Sequence, residues 1–318
     1  IIVLLSVGLF NMFQDPNKVN SNTDTLPFSN FLNEVEAGRV VEVQIQGNNI
    51  SGILADGKTF KTFSPNYPEG RNLFKGKNIL LTAAAGSGIG FSSAKRFLEE
   101  GANVFISDVH EARLDEAIKN LKDMNLGVVE GCLCNVTSDE DIEIMFNKAI
   151  SCFSHLDGVI NNAGLGGESS LENMTNEAWN LVLDVTLNGA MKIMRAAIPI
   201  LKDTQGVIVN NASVLGWRAQ AGQSHYAAAK AGVMALTRCV AMETVDYGIR
   251  INAVAPSLAI NPHLSKTSSD ELIADLESKE AYGRGAEPWE IANIILFLAS
   301  DLSSYMTGEI VSASSQKA

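Results

Sequence analysis

The sequence predicts an α/β fold: a doubly wound parallel sheet with helices on both faces, preceded by a small α+β module and a truncated hydrophobic helix. Three observations support this prediction. From Asn72 onward, short apolar runs alternate with long segments of helical periodicity, which is typical of a parallel sheet with helical crossovers. A glycine-rich turn, LTAAAGSGIG at residues 81–90, follows the first of these runs. The first 13 residues are almost wholly apolar.

The alternation predicts seven strands and six long helices within one domain, residues 72–318. Parallel strands can be joined only by a crossover of a dozen or more residues, so helices between the strands favour the parallel arrangement. Strands are predicted at 77–83, 103–108, 127–133, 157–161, 206–211, 249–254 and 308–313. Helices are predicted at 88–101, 111–124, 138–153, 174–203, 223–245 and 287–299.

The front of the chain is predicted to divide into three parts. Residues 1–13 form an apolar run that is shorter than the ~20 residues a membrane helix needs. We interpret this run as the remnant of such a helix, and a buried hydrophobic helix is the alternative. Residues 14–26 are polar and are predicted to be a linker, and residues 27–69 are predicted to form the small α+β module.

One helix and three short strands are predicted within this module. Ser29 is a suitable N-cap for a short helix that Gly38 ends. The apolar face of this helix comprises Phe31, Leu32 and Val35. Residues 41–45 then alternate between apolar and polar side chains, and two turn pairs come after them at residues 48–49 and 56–57, which together predict a three-stranded meander.

Charge and composition exclude several classes of function. The 318 residues carry a formal net charge of −12, which excludes nucleic acid as the partner because phosphate binding needs a basic surface. The four cysteines lack the spacing of a disulfide framework and are interpreted as buried thiols of a reducing compartment. None of the four histidines has metal-ligand spacing, so no metal site is predicted.

The glycine-rich turn is predicted to bind the phosphates of a dinucleotide. In a turn between a strand and a helix, glycines let the backbone approach a pyrophosphate, and the helix N-terminus supplies free N–H donors. Ala84 stands where such turns usually open with glycine, and its methyl group is tolerable if the φ angle of Ala84 stays negative. The predicted fold is therefore Rossmann-type. The candidate cofactor-binding residues are Gly86, Ser87, Gly88, Ile89 and Gly90.

Asp108 indicates a preference for NAD(H) over NADP(H). It ends the second predicted strand, near the ~20-residue offset at which such domains bind the adenosine ribose. Its charge would repel a 2′-phosphate. The alternative is a helix capping box formed with Glu111, and both roles are compatible.

Tyr226 and Lys230 form a candidate acid–base pair. Residues four apart lie on the same face of a helix, one turn from each other. A free phenol with a pKa of about 10 is a poor acid or base at neutral pH. We expect the nearby ammonium to lower the pKa of Tyr226, as proton transfer to a ketone or from an alcohol requires. Ser213, at the end of the preceding strand, is placed to bind the substrate oxygen. The alternative is an ordinary helical pair on a solvated face.

These residues belong to a set of motifs that resembles the short-chain dehydrogenase/reductase superfamily in order and spacing over residues 72–318. The set comprises the glycine-rich turn, Asp108, Asn135-Val136, the run Asn161 to Gly164, Ser213, Tyr226 with Lys230, and the run Ile251 to Pro256. The resemblance implies an oxidoreductase that interconverts a secondary alcohol and a ketone with a nicotinamide cofactor. It implies that Tyr226 is the general acid/base, that Lys230 lowers its pKa and holds the nicotinamide ribose, and that Ser213 binds the substrate oxygen.

The resemblance also implies further positions in the cofactor cleft. Asn162 and Gly164 would line the cleft, and Asn135 and Val136 would lie beside the adenine. Asn135 departs from the family, which usually has aspartate there. Thr186 stands where the family has a proton-relay asparagine. Because its hydroxyl can order water, we include Thr186 among the candidate catalytic residues.

The front block resembles a different family. The segments FNMFQDPNK and FSNFLNEVEAGRVVEVQIQGNNISGILADGKTFKTF, within residues 1–69, are similar to the N-terminal extracytoplasmic region of FtsH-type ATP-dependent zinc proteases. No GxxxxGK[ST] phosphate loop and no HExxH zinc helix occurs later in the sequence. Neither ATPase nor protease activity is therefore implied for this chain.

Three hypotheses cover the whole chain. The first is an NAD(H)-dependent alcohol dehydrogenase or ketoreductase, on 3-oxoacyl or steroid-derived substrates. The loop that would contact them contains His263, Lys266 and Lys279, which suit an acidic group such as a CoA thioester, and a mobile lid with ordinary surface charges is the alternative. The second is a membrane-tethered nucleotide-binding module without turnover. The third is a front block that belongs to a metalloprotease and is joined in error near residues 66–78.

The same motifs predict location and assembly. The dehydrogenase domain is expected in the cytoplasm, where NAD is available, and the apolar stub indicates membrane attachment if the two blocks are one protein. Membrane contact is expected through that stub alone. Helices 174–203 and 223–245 resemble those that pair in this superfamily, so we expect a homo-oligomer.

Overall fold

The computed structural model describes residues 24–26, 30–31, 34–35, 37–46, 49–63, 72–260 and 270–315. They belong to two compact units, Ile1–Gly70 and Arg71–Ala318. The predictions for residues 1–13, Ser29, Leu32, His263 and Lys266 lie outside the described residues.

The second unit contains a seven-stranded parallel sheet, as predicted. The strands are β5 (Asn78–Leu81), β6 (Asn103–Asp108), β7 (Val129–Leu133), β8 (Gly158–Asn161), β9 (Val207–Asn211), β10 (Arg250–Pro256) and β11 (Ile310–Ala313). Their order in the sheet is β11-β10-β9-β8-β5-β6-β7, and every neighbouring pair is parallel. The order reverses between β5 and β8, which makes the sheet doubly wound.

Helices cover both faces of this sheet, and alternate residues of each strand supply the two cores. Ile79 and Leu81 of β5 pack into one apolar cluster, whereas Leu80 packs into the other. This division results from the pleat, because successive side chains of a strand point to opposite faces. The helices are α1 (Ile89–Glu99), α2 (Glu111–Lys122), α3 (Asp139–Phe153), α4 (Asn176–Leu183), α5 (Gly189–Leu201), α6 (Ser224–Thr244), α7 (Asp270–Ser278) and α8 (Pro288–Ala299).

The helix predicted at 174–203 is interrupted. A π-helical segment, Asp184–Asn188, separates α4 from α5. A π-turn inserts one extra residue into the helix and is frequent at functional sites. Thr186 lies within this segment and is 1% exposed. The insertion therefore decides which way residues 184–188 face, which the sequence pattern does not show.

The first unit contains the predicted meander with one additional strand. Strands β2 (Val40–Gln46), β3 (Asn49–Leu54) and β4 (Thr59–Phe63) are antiparallel neighbours. Strand β1 (Asp24–Thr25) pairs with β4 in parallel, so the end of the predicted linker 14–26 is a strand.

The apolar face predicted for the short helix of this unit is only partly buried. Phe31 packs against Phe60 with ring centroids 5.3 Å apart, but Val35 is 46% exposed. Gly38 ends the helix with φ +66°, as predicted. Strand β2 lies at an edge of its sheet, and the apolar residues of its alternating pattern are exposed: Val41, Val43 and Ile45.

The cysteine prediction is half wrong. Cys132 and Cys134 are buried, but Cys152 and Cys239 are exposed, and all four are free thiols. Burial raises the pKa of the Cys134 thiol to about 12. Within the described ranges, no helix combines the length and the apolar content needed to cross a bilayer.

Candidate active site at the carboxyl edge of the sheet

The carboxyl ends of the parallel strands bring the predicted site residues to one edge of the sheet. The glycine-rich turn follows β5, Asp108 ends β6, and Asn162 follows β8. Ser213 follows β9 at the start of a short 3-10 turn, Val214–Gly216. In doubly wound sheets, ligands bind in the crevice where the strand order reverses. Here that crevice lies between β5 and β8.

The glycine-rich turn has the geometry that a dinucleotide phosphate needs. Gly86 has φ +84°, a conformation that side chains rarely adopt. A Cβ atom on Gly90 would lie 2.4 Å from the carbonyl oxygen of Ala83, so this position has no room for a side chain. Gly88 faces open space and precedes α1 without a side-chain cap, which leaves the helix N–H groups free. These features fit a dinucleotide.

The alanine at the opening of the turn is accommodated in an unexpected way. Ala84 is fully buried and donates its N–H to Ser107 O at 3.0 Å, and its φ is not positive, as the prediction required. The preceding Ala83 instead adopts φ +49°. A left-handed conformation costs a residue with a side chain about 1–2 kcal/mol. The backbone strain of the turn is therefore at Ala83, one residue before Ala84, where the sequence suggested it.

Asp108 is buried and points back to the turn. Its Oδ2 accepts from Ala85 N at 3.4 Å, and its Oδ1 accepts from His110 N at 3.0 Å and from Arg113 Nη2 at 3.3 Å. The predicted capping box with Glu111 does not form, because His110, not Asp108, is the N-cap of α2. The carboxylate thus joins the glycine-rich turn to the start of α2.

Asn135 and Val136 lie at the end of β7. Asn135 is exposed, and its Oδ1 accepts from both the N–H and the hydroxyl of Thr137, at 3.1 Å and 2.9 Å. Val136 is 7% exposed. It packs so closely on Gly189 that a Cβ atom there would lie 2.9 Å from its Cγ2. Asn135 therefore offers a polar group at the surface, and Val136 anchors the strand end.

Ser213, Tyr226 and Lys230 come together as predicted from their spacing. The Ser213 hydroxyl lies beside that of Tyr226 and favours its ionised form. Lys230 is 3% exposed, and its Nζ lies 5.5 Å from the centroid of the Tyr226 ring. Gly164 lies directly against the amine, because a Cβ atom there would be 3.2 Å from Lys230 Nζ. The alternative of a solvated helical pair is wrong for this buried amine.

The protonation of the pair differs from the expectation. Tyr226 is partly buried, and burial raises the pKa of its hydroxyl to about 12, while the Ser213 hydroxyl acts in the opposite direction. Burial lowers the pKa of Lys230 to about 8. The predicted lowering of the Tyr226 pKa is therefore not seen, because desolvation outweighs the effect of Ser213. At neutral pH the phenol retains its proton.

Thr186 is held against the loop that follows β8. Its Oγ1 donates to Leu165 O at 3.0 Å and accepts from Leu165 N at 2.9 Å. Asn188, two residues later, instead donates to Asp184 Oδ1 at 2.7 Å on the exposed side. Thr186 and not Asn188 therefore faces the site.

Two residues that the sequence analysis did not single out connect this site. Thr82 Oγ1 accepts from the N–H groups of Asn162 and Ala163, at 3.0 Å and 3.1 Å. Asn211, the last residue of β9, accepts at its carbonyl oxygen from Lys230 Nζ at 2.5 Å. One signal was available, a polar side chain at or just after the carboxyl end of a strand.

Comparison with known proteins identifies the larger unit. Residues 83–315 match the protein family described as Enoyl-(Acyl carrier protein) reductase. A solved short chain dehydrogenase from Mycobacterium smegmatis has 53% identity and a TM-score of 0.70, and the match covers 80% of this chain and 98% of that one. The chain belongs to the short-chain dehydrogenase/reductase superfamily. It is therefore an NAD(P)-dependent oxidoreductase, and the prediction of an enzyme is confirmed.

Reductases are prominent among the relatives of this short-chain dehydrogenase/reductase. It is 52% identical to the "(5R,7aS)-5-hydroxy-7a-methyl-1-oxo-2,3,5,6,7,7a-hexahydro-1H-indene-carboxyl-CoA reductase" of Mycobacterium tuberculosis, over 80% of this chain and 97% of the relative. It is 37% identical to the 3-oxoacyl-[acyl-carrier-protein] reductase FabG of Thermotoga maritima, over 74% of this chain and 96% of that protein.

The front of the dehydrogenase/reductase chain matches a second family. Residues 1–94 match the family described as FtsH Extracellular, which confirms the predicted resemblance. The match runs beyond residue 69, where the prediction ended it, and overlaps the reductase match at residues 83–94. The division into compact units nevertheless lies between Gly70 and Arg71.

Proposed function

We propose that the protein is an NAD(H)-dependent reductase that interconverts a secondary alcohol and a ketone, with Tyr226 as the proton donor and acceptor. The observation that carries this proposal is the convergence of Ser213, Tyr226 and a buried Lys230 at the same sheet edge as the glycine-rich turn. Two neighbouring hydroxyls can both donate to one carbonyl oxygen.

The proton chemistry depends on the two pKa values. A phenol whose pKa lies near 12 carries its proton at neutral pH and acts as the acid when a ketone oxygen becomes an alkoxide. Lys230, with a pKa of about 8, is mostly charged at neutral pH and stabilises the phenolate that remains. Ser213 donates to the same substrate oxygen. A bound nicotinamide dinucleotide supplies or accepts the hydride.

The cofactor would be held by the turn and by the strand ends around it. The N–H groups of Gly88 and Ile89, at the uncapped start of α1, would bind a pyrophosphate, and Gly86, Ser87 and Gly90 would shape the turn around it. Asn162 and Gly164 would border the nicotinamide half, and Asn135 and Val136 the adenine half. These assignments rest on the positions of the residues at one sheet edge.

NAD(H) is favoured over NADP(H) because of Asp108. Its buried carboxylate lies at the end of β6, where a ribose would be bound, and a 2′-phosphate there would meet its charge. Arg113, the one cation that contacts this carboxylate among the described residues, is already paired with it at 3.3 Å. We expect Asp108→Ser to leave Arg113 available for a 2′-phosphate. The variant should therefore show a smaller preference for NADH over NADPH than the parent.

The substrate class is proposed from the relatives. At 52% identity over nearly the whole relative, a fused-ring ketone or alcohol that carries a CoA thioester is the first candidate. A 3-oxoacyl thioester is the second, from the FabG relatives. Lys279, which the sequence suggested for the acidic group, is paired with Asp275 at 2.6 Å. It is therefore not the cation that we assign to the phosphates of CoA.

The test combines a substrate panel with one variant. Purified protein is assayed with NADH and NADPH against a bicyclic ketone carboxyl-CoA and a 3-oxoacyl thioester. We expect turnover with NADH and the bicyclic thioester. Tyr226→Phe should bind NADH like the parent and lose at least about 100-fold in kcat, the usual contribution of a general acid. Parent-like turnover of this variant would contradict the assignment of Tyr226.

We further propose that the dehydrogenase domain acts in the cytoplasm as a homo-oligomer. The location follows from the need for NAD. The assembly is supported by exposed apolar side chains on the helices beside the site, Leu181 on α4 and Met242 on α6, which are 54% and 72% exposed. Light scattering of the purified chain tests the assembly, and a monomeric mass at assay concentration would contradict it.

A further inference from the structure

A continuous series of hydrogen bonds joins the glycine-rich turn to Lys230, and Asn211 is its central link. Asn162 Nδ2 donates to the carbonyl oxygens of Thr82 at 3.2 Å and Ala83 at 2.9 Å. Asn211 Nδ2 donates to Asn162 Oδ1 at 2.9 Å. The carbonyl oxygen of Asn211 accepts from Lys230 Nζ at 2.5 Å. The two ends of the series are the proposed phosphate turn and the proposed catalytic amine.

The turn depends on Asn162 for its shape. Ala83 holds a left-handed conformation, with φ +49°, that a residue with a side chain keeps only when its surroundings impose it. The hydrogen bond from Asn162 to the Ala83 carbonyl is such a constraint. Gly90, at the first turn of α1, packs against the same two groups, since a Cβ there would lie 2.6 Å from Asn162 Nδ2. A displaced Asn162 amide would therefore displace the turn.

Packing alone does not explain an asparagine at position 211. The side-chain Oδ1 of Asn211 is buried and has no hydrogen-bond partner among the described residues. A buried polar atom without a partner destabilises the fold, and an aliphatic side chain of the same size would avoid that cost. The amide is therefore expected to contribute something else, and its hydrogen bond to Asn162 leads to the turn.

We propose that Asn211 is a positioning residue: its side chain fixes Asn162, and through it the glycine-rich turn, relative to the strand end whose carbonyl oxygen holds the Lys230 ammonium. The inference rests on the proposed function, because the turn and Lys230 have their roles from it. It assigns Asn211 no contact with substrate. It predicts that cofactor affinity and the placement of Lys230 respond together to the side chain at 211.

Asn211→Leu separates this role from a structural one. Leucine is similar in size to asparagine and removes both the bond to Asn162 and the unsatisfied Oδ1. We expect the NADH dissociation constant to rise roughly ten-fold, the effect of losing about one hydrogen bond, and kcat to fall. The KM for the ketone should stay within about two-fold. The melting temperature should be unchanged or higher, which a residue needed only for stability would not show.

Asn210→Leu is the matched control. Asn210 is the preceding residue of β9 and is fully buried, but its amide faces the opposite side. It donates to Thr237 Oγ1 at 2.9 Å and accepts from Asn161 Nδ2 at 3.1 Å. We expect this variant to lower the melting temperature and to leave the NADH dissociation constant unchanged. Binding is measured by NADH fluorescence well below both melting temperatures.

Each outcome decides between the alternatives. Parent-like NADH binding in Asn211→Leu, or equal weakening in both variants, would overturn the positioning role. A parent protein that neither binds NADH nor reduces a ketone would instead overturn the proposed function. If Asn211→Leu does not fold, Asn211→Ser takes its place, because its shorter side chain is expected not to span to Asn162, and the same comparison with Asn210→Leu applies.

Discussion

Thr186 shows how one hydroxyl can hold a loop beside the candidate site. Its oxygen makes both of its hydrogen bonds with the backbone of Leu165, one as donor and one as acceptor. Leu165 follows Gly164, which lies against the Lys230 amine. The arrangement favours a positioning task for Thr186, in addition to any role in ordering water.

We predict that Thr186→Val lowers kcat/KM for ketone reduction roughly ten-fold. Valine keeps the shape of threonine but cannot bond to Leu165, and losing these bonds in a buried position costs about 1–3 kcal/mol. Steady-state kinetics with NADH measure the change. Thr186→Ser retains the hydroxyl and should stay near the parent, and a valine variant as active as the serine variant would contradict this task.

The buried amine of Lys230 gives the protein a pH-dependent stability. Its pKa is about 8 in the folded state, below the 10.5 of an exposed lysine. Between these pH values the unfolded state binds more protons, so this group makes the free energy of unfolding increase as the pH rises. Below pH 8 the folded state holds a buried charge, which opposes folding.

We therefore predict that Lys230→Met increases the unfolding free energy, relative to the parent, most at neutral pH. The difference in unfolding free energy between this variant and the parent should shrink as the pH is raised from about 8 to about 10.5. Urea titrations of both proteins at neutral pH and near pH 10 provide the measurement. A difference that is constant or grows with pH would show that Lys230 is not a desolvated amine in the fold.

The glycine-rich turn is the element in which sequence and geometry agree most closely. Gly90 has no room for a Cβ atom, whereas Gly88 faces open space beside the uncapped end of α1. Glycine is thus required at position 90 by the protein's own packing. At position 88 the protein imposes no such limit, and the requirement would come from a bound phosphate.

Two alanine substitutions in this turn should separate folding from binding. We predict that Gly88→Ala keeps the parent melting temperature but raises the NADH dissociation constant about ten-fold or more, because a methyl group would occupy the approach to the phosphate. Gly90→Ala should lower the unfolding free energy by about 1–3 kcal/mol, the usual cost of overpacking. Differential scanning calorimetry and NADH titration measure the two effects. Equal behaviour of the two variants would contradict these separate roles.

The π-helical segment is the element that the sequence pattern concealed. A helix was predicted without interruption from 174 to 203, and the apolar residues on either side of the segment fit a helical period. The segment Asp184–Asn188 inserts one residue and rotates the residues after it about the helix axis. The hydrogen bonds of Thr186 to Leu165 depend on that local geometry.

At the scale of the whole molecule, the two units have separate cores. Phe31, Ile50 and Phe60 form the core of the first unit. Among the described residues, the clusters of the second unit contain members of Arg71–Ala318 alone. Each unit therefore buries its own apolar surface, which is the condition for folding independently.

We predict that residues 71–318 fold and bind NADH without the front block. The melting temperature and the NADH dissociation constant of this segment should match those of the full chain, because no described residue of the first unit belongs to its cores. Circular dichroism and NADH titration of both proteins check this. A segment that is unfolded, or that binds NADH much more weakly, would show that the front block contributes to the reductase.

Genomic sequencing can decide whether the front block and the reductase are encoded as one protein. Two families match one chain and overlap at residues 83–94. A long-read genomic sequence that spans codons 60 to 90 shows whether one reading frame continues through the junction. An uninterrupted frame would establish a true fusion, and a break would support the hypothesis that the two blocks were joined in error.

The sequence by itself determined the doubly wound sheet, its seven strands and the residues that converge on its carboxyl edge. Hydrophobic periodicity and motif spacing are local properties, and parallel strands bring the residues at their ends together in any such fold. Tyr226 and Lys230 needed only the pitch of one helix to be placed on the same face.

Only the tertiary structure decided the pKa values of these residues and the hydrogen bonds that connect them. Whether burial or a neighbouring charge sets the pKa of Tyr226 depends on the protein packed around it from distant parts of the chain. The bonds of Thr186 to Leu165 and of Asn211 to Asn162 join residues 21 and 49 positions apart. No local pattern encodes such pairs, because they exist only once the strands have assembled.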